Sequence, residues 1–158
     1  MRDYTSTKGR SSKICTRVPP GELWSELSPA FSRGSDVSKT ILIADDNKLL
    51  LATLRQVLEC QPGFVACGET VNGKDAIEKA QRLKPDLIVL DISMPVMNGL
   101  DAAHTLRQMM PDLPILLFTI HKTRLSAAEA LASRASGVAF KGDGIRGLVS
   151  QVKTLLRS

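Results

Sequence analysis

The chain alternates between short apolar runs and longer amphipathic segments from about residue 40 to its end. The apolar runs, which predict strands, are TILIA, FVACGET, DLIVL, PILLFT and GVAFK. The segments between them place apolar residues three and four positions apart, as an amphipathic helix requires. In the first segment the predicted stripe is Leu49, Leu50, Leu54 and Leu58. We therefore predict five strand–helix repeats, with the later helices over 73–84, 100–110, 123–135 and 145–156.

Strands that are apolar throughout are typical of a parallel sheet covered by helices on both faces. Because crossovers between parallel strands are right-handed, the repeats predict an α/β fold with a doubly wound five-stranded parallel sheet. Its expected strand order is 2-1-3-4-5, the flavodoxin-like arrangement. Ligands bind such sheets at the carboxyl ends of the strands, beside the point where the order reverses. Here that point lies between the first and third strands.

The chain is predicted to divide near residue 38. Residues 1–38 are rich in Ser, Pro and Gly, and we expect a disordered or loosely packed extension there, followed by one domain over 39–158. Within the extension, ELWSELSPAF places Leu23, Trp24, Leu27 and Phe31 at helix-like spacing. An interaction peptide is the alternative interpretation of that segment.

Charge and cysteine content exclude some classes of protein. The net charge is +5, with seven Lys/Arg against four Asp/Glu in residues 1–40 and fourteen against twelve in residues 41–158. This small, dispersed excess favours a mildly basic tail on a near-neutral domain over a nucleic-acid-binding surface. Three cysteines, Cys15, Cys60 and Cys67, lack CxxC spacing and predict reduced thiols. With no signal segment and no apolar run near the ~20 residues of a membrane span, we expect a cytoplasmic protein.

Polar residues follow the apolar runs at the ends where this fold places its chemistry. Asp45 and Asp46 follow the first strand, Asp91 the third and Thr119 the fourth, and Lys141 ends the fifth. Any one of them alone is compatible with a helix cap or a turn. Three converging carboxylates need a cation, and hard oxygen ligands suit Mg²⁺. A metal-neutralised aspartate beside a lysine and a hydroxyl is suited to accept a phosphoryl group.

The segments ILIADDN, LIVLDISMPVMNG, ILLFT and GVAFK together resemble the receiver domain of bacterial two-component response regulators. The spacing also resembles that family, with 45 residues from Asp46 to Asp91, 28 on to Thr119 and 22 more to Lys141. The resemblance covers about residues 40–157. The stretch from Glu69 to Ala103 is most similar to receivers that precede a LuxR-type helix-turn-helix, although no such motif follows here.

The resemblance implies a role for each strand-end residue and for one loop residue. Asp91 would be the phosphoacceptor, and Thr119 and Lys141 would sense the phosphoryl group. Asp46 would bind Mg²⁺ directly and Asp45 largely through water. The complete set of implied Mg²⁺ ligands is three carboxylates and one backbone carbonyl: Asp45, Asp46, Asp91 and Ser93.

The function that the resemblance implies is a single-domain response regulator, which is not a conventional enzyme. A histidine kinase or phosphotransfer protein would donate the phosphoryl group to Asp91. The signal would pass to a downstream protein through the fourth and fifth predicted helices and the fifth strand, and a homodimer is compatible with this. Neither membrane binding nor DNA binding is expected from this chain alone. The alternatives are a phosphorylation-independent binding module and a transcription regulator lacking its DNA-binding domain.

Three positions depart from the family pattern. The residue after the threonine is usually small, whereas here it is Ile120, which should narrow access to Asp91. The aromatic switch residue normally lies three positions before the lysine, and that position holds Val138. Lastly, Lys141 is followed by GDG rather than by proline, which predicts a flexible loop.

Overall fold

The computed structural model describes residues 37–120, 129 and 134–157. In this part of the chain, five parallel strands form one sheet in the order β2-β1-β3-β4-β5, as predicted. The strands are β1 (Lys39–Ala44), β2 (Phe64–Thr70), β3 (Leu87–Leu90), β4 (Ile115–Thr119) and β5 (Gly137–Phe140). The α-helices given with bounds are α1 (Lys48–Glu59), α2 (Gly73–Leu83), α3 (Gly99–Met109) and α4 (Gly144–Arg157). The helix named α4 is the fifth of the predicted helices. The predicted extension over 1–38 and the helix predicted over 123–135 lie almost entirely outside the described residues.

The sheet separates two apolar cores. Alternate residues of β1 point to opposite faces, so Ile41 and Ile43 pack with α1 and α4 while Leu42 and Ala44 pack with α2 and α3. The central strands β3 and β4 are buried along their whole length. This double burial explains why their sequences are continuously apolar.

Asparagine side chains fix the first residue of three helices. Asn47 accepts hydrogen bonds from the second and third residues of α1. Asn72 and Asn98 cap α2 and α3 in the same way as each other: each accepts from the backbone N–H of an aspartate three residues on and donates to its carboxylate. Such caps contribute about 1 kcal/mol each. They therefore define where the loops at the carboxyl edge of the sheet end.

Two local expectations are wrong. The buried stripe of α1 is Leu51, Leu54 and Leu58, whereas Leu49 is 78% exposed. The residues after β5 form a short 3-10 helix over 141–143 where a loop was predicted. Cys67 is a free thiol, as predicted, and the prediction for Cys15 lies outside the described residues. Separately, no helix in the described ranges is long and apolar enough to cross a membrane.

Gly99 allows the start of α3 to pack directly against the end of β3. A Cβ atom at this position would lie 2.0 Å from the carbonyl oxygen of Asp91. The backbone N–H of Gly99 also donates to the carbonyl of Ile92 over 2.9 Å. Any side chain here would therefore push α3 away from the strand end that carries Asp91.

We predict that Gly99→Ala destabilises the fold by about 1–3 kcal/mol or more, because the new methyl group meets backbone that cannot rotate away. Urea unfolding followed by circular dichroism measures the loss. Gly142→Ala is the matched control, since a Cβ there has nothing within 4 Å. Equal stability of the two variants would show that the close approach at Gly99 is not a constraint.

Candidate functional site

The acidic residues predicted from the sequence meet at the carboxyl edge of β1 and β3. These strands are neighbours, and the backbone N–H of Asp91 donates to the carbonyl of Ala44 over 2.8 Å. One carboxylate oxygen from each of Asp45, Asp46 and Asp91 lies within 4.8 Å of the others. Asp45 and Asp91 are buried, at 1% and 4% exposure, whereas Asp46 is exposed. The carboxylates therefore form one acid cluster, open to solvent on the side of Asp46.

Lys141 extends into this acid cluster from two strands away. Its Nζ lies 2.6 Å from Oδ2 of Asp45 and 3.2 Å from Oδ1 of Asp91. Because β4 separates β5 from β3, the side chain must cross the end of β4, and Nζ lies 5.6 Å from the centroid of the Phe118 ring. This cation–π contact was not predicted from the sequence. The apolar run of β4 gave no sign that Phe118 would lie beneath the lysine.

The balance of charge at the acid cluster is negative. Among the described residues of the cluster, three carboxylates face one ammonium group, which leaves an excess of two negative charges when all are ionised. Burial raises the pKa of Asp91, and the charge of Asp45 raises it further, while Lys141 acts in the opposite direction. The cluster is therefore under electrostatic repulsion that a further cation would relieve.

Thr119 and Ile120 lie at the end of β4, between the strands that carry Asp91 and Lys141. Thr119 is buried, at 1% exposure, and pairs in register with Phe140 of β5. The next side chain, Ile120, is 64% exposed at the same edge of the sheet. Val138, at the position of the family's switch aromatic, packs into the core shared with α2 and α3.

The loop from β3 to α3, which carries Ser93, makes backbone hydrogen bonds within itself and to the start of α2. The N–H of Met97 donates to the carbonyl of Pro95 over 2.7 Å, and Val96 between them has φ +67°. This is the hydrogen-bond pattern of the strained γ-turn, which a β-branched residue rarely adopts. The carbonyl of Met97 in turn accepts from Gly73, the first residue of α2, over 3.0 Å. Nothing in the sequence predicted this turn.

Comparison with known proteins agrees with this geometry. Residues 41–153 match the family model described as the response regulator receiver domain. The transcriptional regulatory protein DegU of Brevibacillus brevis is 31% identical over 115 residues, which are 73% of this chain and 49% of that protein. The chemotaxis protein CheY of Thermotoga maritima is 31% identical over 105 residues, or 66% of this chain and 87% of that protein.

A solved structure of similar fold is a LuxR-family two-component response regulator from Aurantimonas sp. SI85-9A1. It aligns with a TM-score of 0.72 and 27% identity, covering 76% of this chain and 86% of that one. The chain spans about half the length of DegU, so the match does not show that this chain has the activity of the whole DegU protein. The matched region contains β1 from Ile41 onward, the other four strands and the acid cluster with its lysine, and the chain belongs to the response regulator receiver domain family.

Proposed function

We propose that the chain is a phosphoacceptor of a two-component system, in which Asp91 receives a phosphoryl group from a histidine kinase or phosphotransfer protein. The observation that carries this proposal is the placement of the Asp91 carboxylate. It is buried, lies within 4.8 Å of two further carboxylates and is 3.2 Å from the ammonium group of Lys141. Family membership supports the same role.

The acid cluster fits Mg²⁺ by the chemistry of its donors. Carboxylate oxygens are hard ligands, and Mg²⁺ is usually held by one or two carboxylates together with waters and a phosphate. Asp45, Asp46 and Asp91 would hold the ion, and the constrained β3–α3 loop would offer the backbone carbonyl of Ser93. Bound there, Mg²⁺ would neutralise carboxylate and phosphoryl charge.

Three residues would each have a separate role in phosphoryl transfer: Asp91, Lys141 and Thr119. A carboxylate oxygen of Asp91 would attack phosphorus as the bond from phosphorus to the donor histidine nitrogen breaks. With the other ring nitrogen of that histidine protonated, the donor would leave as a neutral imidazole, and the phosphoryl group would remain on Asp91 as an aspartyl phosphate. Lys141 would exchange its contact with Asp91 for one with a phosphoryl oxygen. The Thr119 hydroxyl would donate a hydrogen bond to another phosphoryl oxygen. The new contacts of Lys141 and Thr119 would then shift the equilibrium between two conformations of the surface that a downstream protein contacts.

A phosphorylation-independent binding module on the same fold is the second candidate. Ile120 favours it, because a branched, 64% exposed side chain follows Thr119 where the family usually has a small residue. Val138 favours it as well, since it replaces the aromatic residue that ordinarily reports phosphorylation. The third alternative, a transcription regulator lacking its DNA-binding domain, stays an alternative interpretation, and the homodimer and the cytoplasmic location stay predictions.

We predict that acetyl phosphate with Mg²⁺ modifies the wild-type protein and leaves Asp91→Asn unmodified, because the amide cannot form the acyl phosphate. A phosphate-affinity gel separates the two forms. Asp112→Asn, an exposed aspartate in a turn, makes the same chemical change away from the acid cluster and should be modified normally. No modification of the wild type would favour the binding module instead, and modification of Asp91→Asn would show that another residue accepts the phosphoryl group.

Ile120→Ala should raise the rate of modification by acetyl phosphate several-fold and shorten the lifetime of the product. Both changes are expected because a smaller side chain beside Asp91 gives the phosphoryl donor and water easier access to it. Stopped-flow and gel time courses measure the two rates. Met109→Ala removes an exposed apolar side chain at the opposite edge of the sheet and should change neither. Unchanged rates in Ile120→Ala would show that Ile120 does not restrict access to Asp91.

Stability should depend on pH through Asp91. Its pKa is raised in the folded protein, so it binds a proton more tightly there than in the unfolded chain, and ionisation lowers stability as pH rises. In Mg²⁺-free buffer, Asp91→Asn should therefore be more stable than wild type at pH 7. The difference should shrink as pH falls towards about 3.9, the usual pKa of an unfolded aspartate. Urea titrations from pH 4 to 7 test this, and a difference that grows on acidification would contradict it.

A further inference from the structure

A groove of about 530 Å³ lies between α1 and α4, outside the acid cluster. Three apolar side chains line it, Val57 from α1 and Ile145 and Val149 from α4. All three belong to, or pack against, the core that these helices form with the sheet. The groove therefore has an apolar floor that is continuous with the interior of the domain.

The side of the groove formed by α4 is basic. Arg146 and Lys153 line it together with Ser150, and Arg157 continues the same stripe, because residues 146, 150, 153 and 157 recur at helical spacing. The sequence of α4, GIRGLVSQVKTLLR, contains no acidic residue. Within the described ranges, no salt bridge joins any of the three basic side chains to an acid. The positive charge of this stripe is therefore available to a partner.

We propose that this groove, the α1–α4 groove, binds an acidic amphipathic helix of a partner protein. An apolar stripe on the incoming helix would cover Val57, Ile145 and Val149, in the manner of helix-in-groove recognition. Glutamate or aspartate on its flank would pair with Arg146 and Lys153. No residue of the groove belongs to the acid cluster, so the proposal does not depend on phosphorylation of Asp91.

Charge and apolarity together select this occupant over two others. A second copy of this chain docked through the same groove would bring two basic α4 stripes towards each other, which costs free energy. Nucleic acid would use the basic stripe but would leave the apolar floor uncovered, because its contacts are mainly to phosphates and base edges. An acidic amphipathic helix satisfies both features at once.

The test uses the full chain and a pair of synthetic helical peptides labelled with fluorescein. One peptide carries leucine on a single stripe and glutamate elsewhere, and the other has lysine in place of every glutamate. Fluorescence anisotropy should show saturable binding of the glutamate peptide that weakens as salt is added, and no binding of the lysine peptide. Perturbed backbone amide signals in α1 and α4 would locate the complex. No binding, or equal binding of both peptides, would overturn the proposal.

Paired charge reversals identify the groove. The double variant Arg146→Glu with Lys153→Glu should bind the glutamate peptide about tenfold or more weakly. Lys74→Glu with Arg82→Glu makes the same change in net charge at exposed positions of α2, on the other face of the sheet, and should bind as wild type. Circular dichroism verifies that both variants fold.

Equal weakening of peptide binding in the two double variants would overturn the groove assignment. Self-association, or binding of a labelled oligonucleotide, that only the first double abolishes would overturn the choice of occupant.

Discussion

Two carboxylates, those of Asp45 and Asp91, are buried beside the single ammonium group of Lys141 at the carboxyl edge of the sheet. Burying like charges this close is costly, and the raised pKa of Asp91 reports that cost. The surrounding structure must therefore hold the acids in place against their repulsion. Lys141 contributes by crossing the end of β4 to reach them, which it can do only because the sheet order places β5 two strands from β3.

The backbone holds the rest of the acid cluster together. Parallel pairing of β1 and β3 sets Asp45 and Asp91 at the same height, and the absence of a side chain at Gly99 lets α3 begin directly behind Asp91. The turn at Val96 and the contact of the loop with the start of α2 leave little freedom between them. Rigid positioning of charged groups is what transfer of a phosphoryl group requires, since there the protein acts mainly by orientation and electrostatics.

The fold was predictable from the sequence because its signals are redundant. The central strands β3 and β4 are continuous apolar runs. The connections from β1 through to β4 each contain a glycine, a proline or an asparagine cap. The identity of the acid cluster followed from topology, which brings the ends of distant strands to one edge. The contact of Lys141 with both acids could not be predicted, because it depends on how a long side chain crosses β4 and Phe118.

Other details failed for identifiable reasons. With three successive leucines at 49–51, an apolar helical stripe can begin at either Leu49 or Leu51. Packing against the sheet buries Leu51 and leaves Leu49 exposed. The segment GDG suggested flexibility, yet glycine only permits unusual conformations, and here Gly144 with φ +77° joins a 3-10 helix to α4. At Val96 the sequence argued against the observed turn, because a β-branched residue disfavours positive φ.

As a cation site, the acid cluster would be relieved of its repulsion by bound Mg²⁺. Calorimetric melting of the wild type and of Asp46→Asn across a Mg²⁺ titration measures this relief. Asp46 is the exposed member of the cluster, so its substitution removes a ligand with little effect on the core. A ligand that binds only the folded state raises Tm with its concentration, so Tm of the wild type should rise and that of Asp46→Asn should rise far less. A Tm that does not respond to Mg²⁺ in the wild type, or that responds equally in both proteins, would show that the acid cluster is not a Mg²⁺ site.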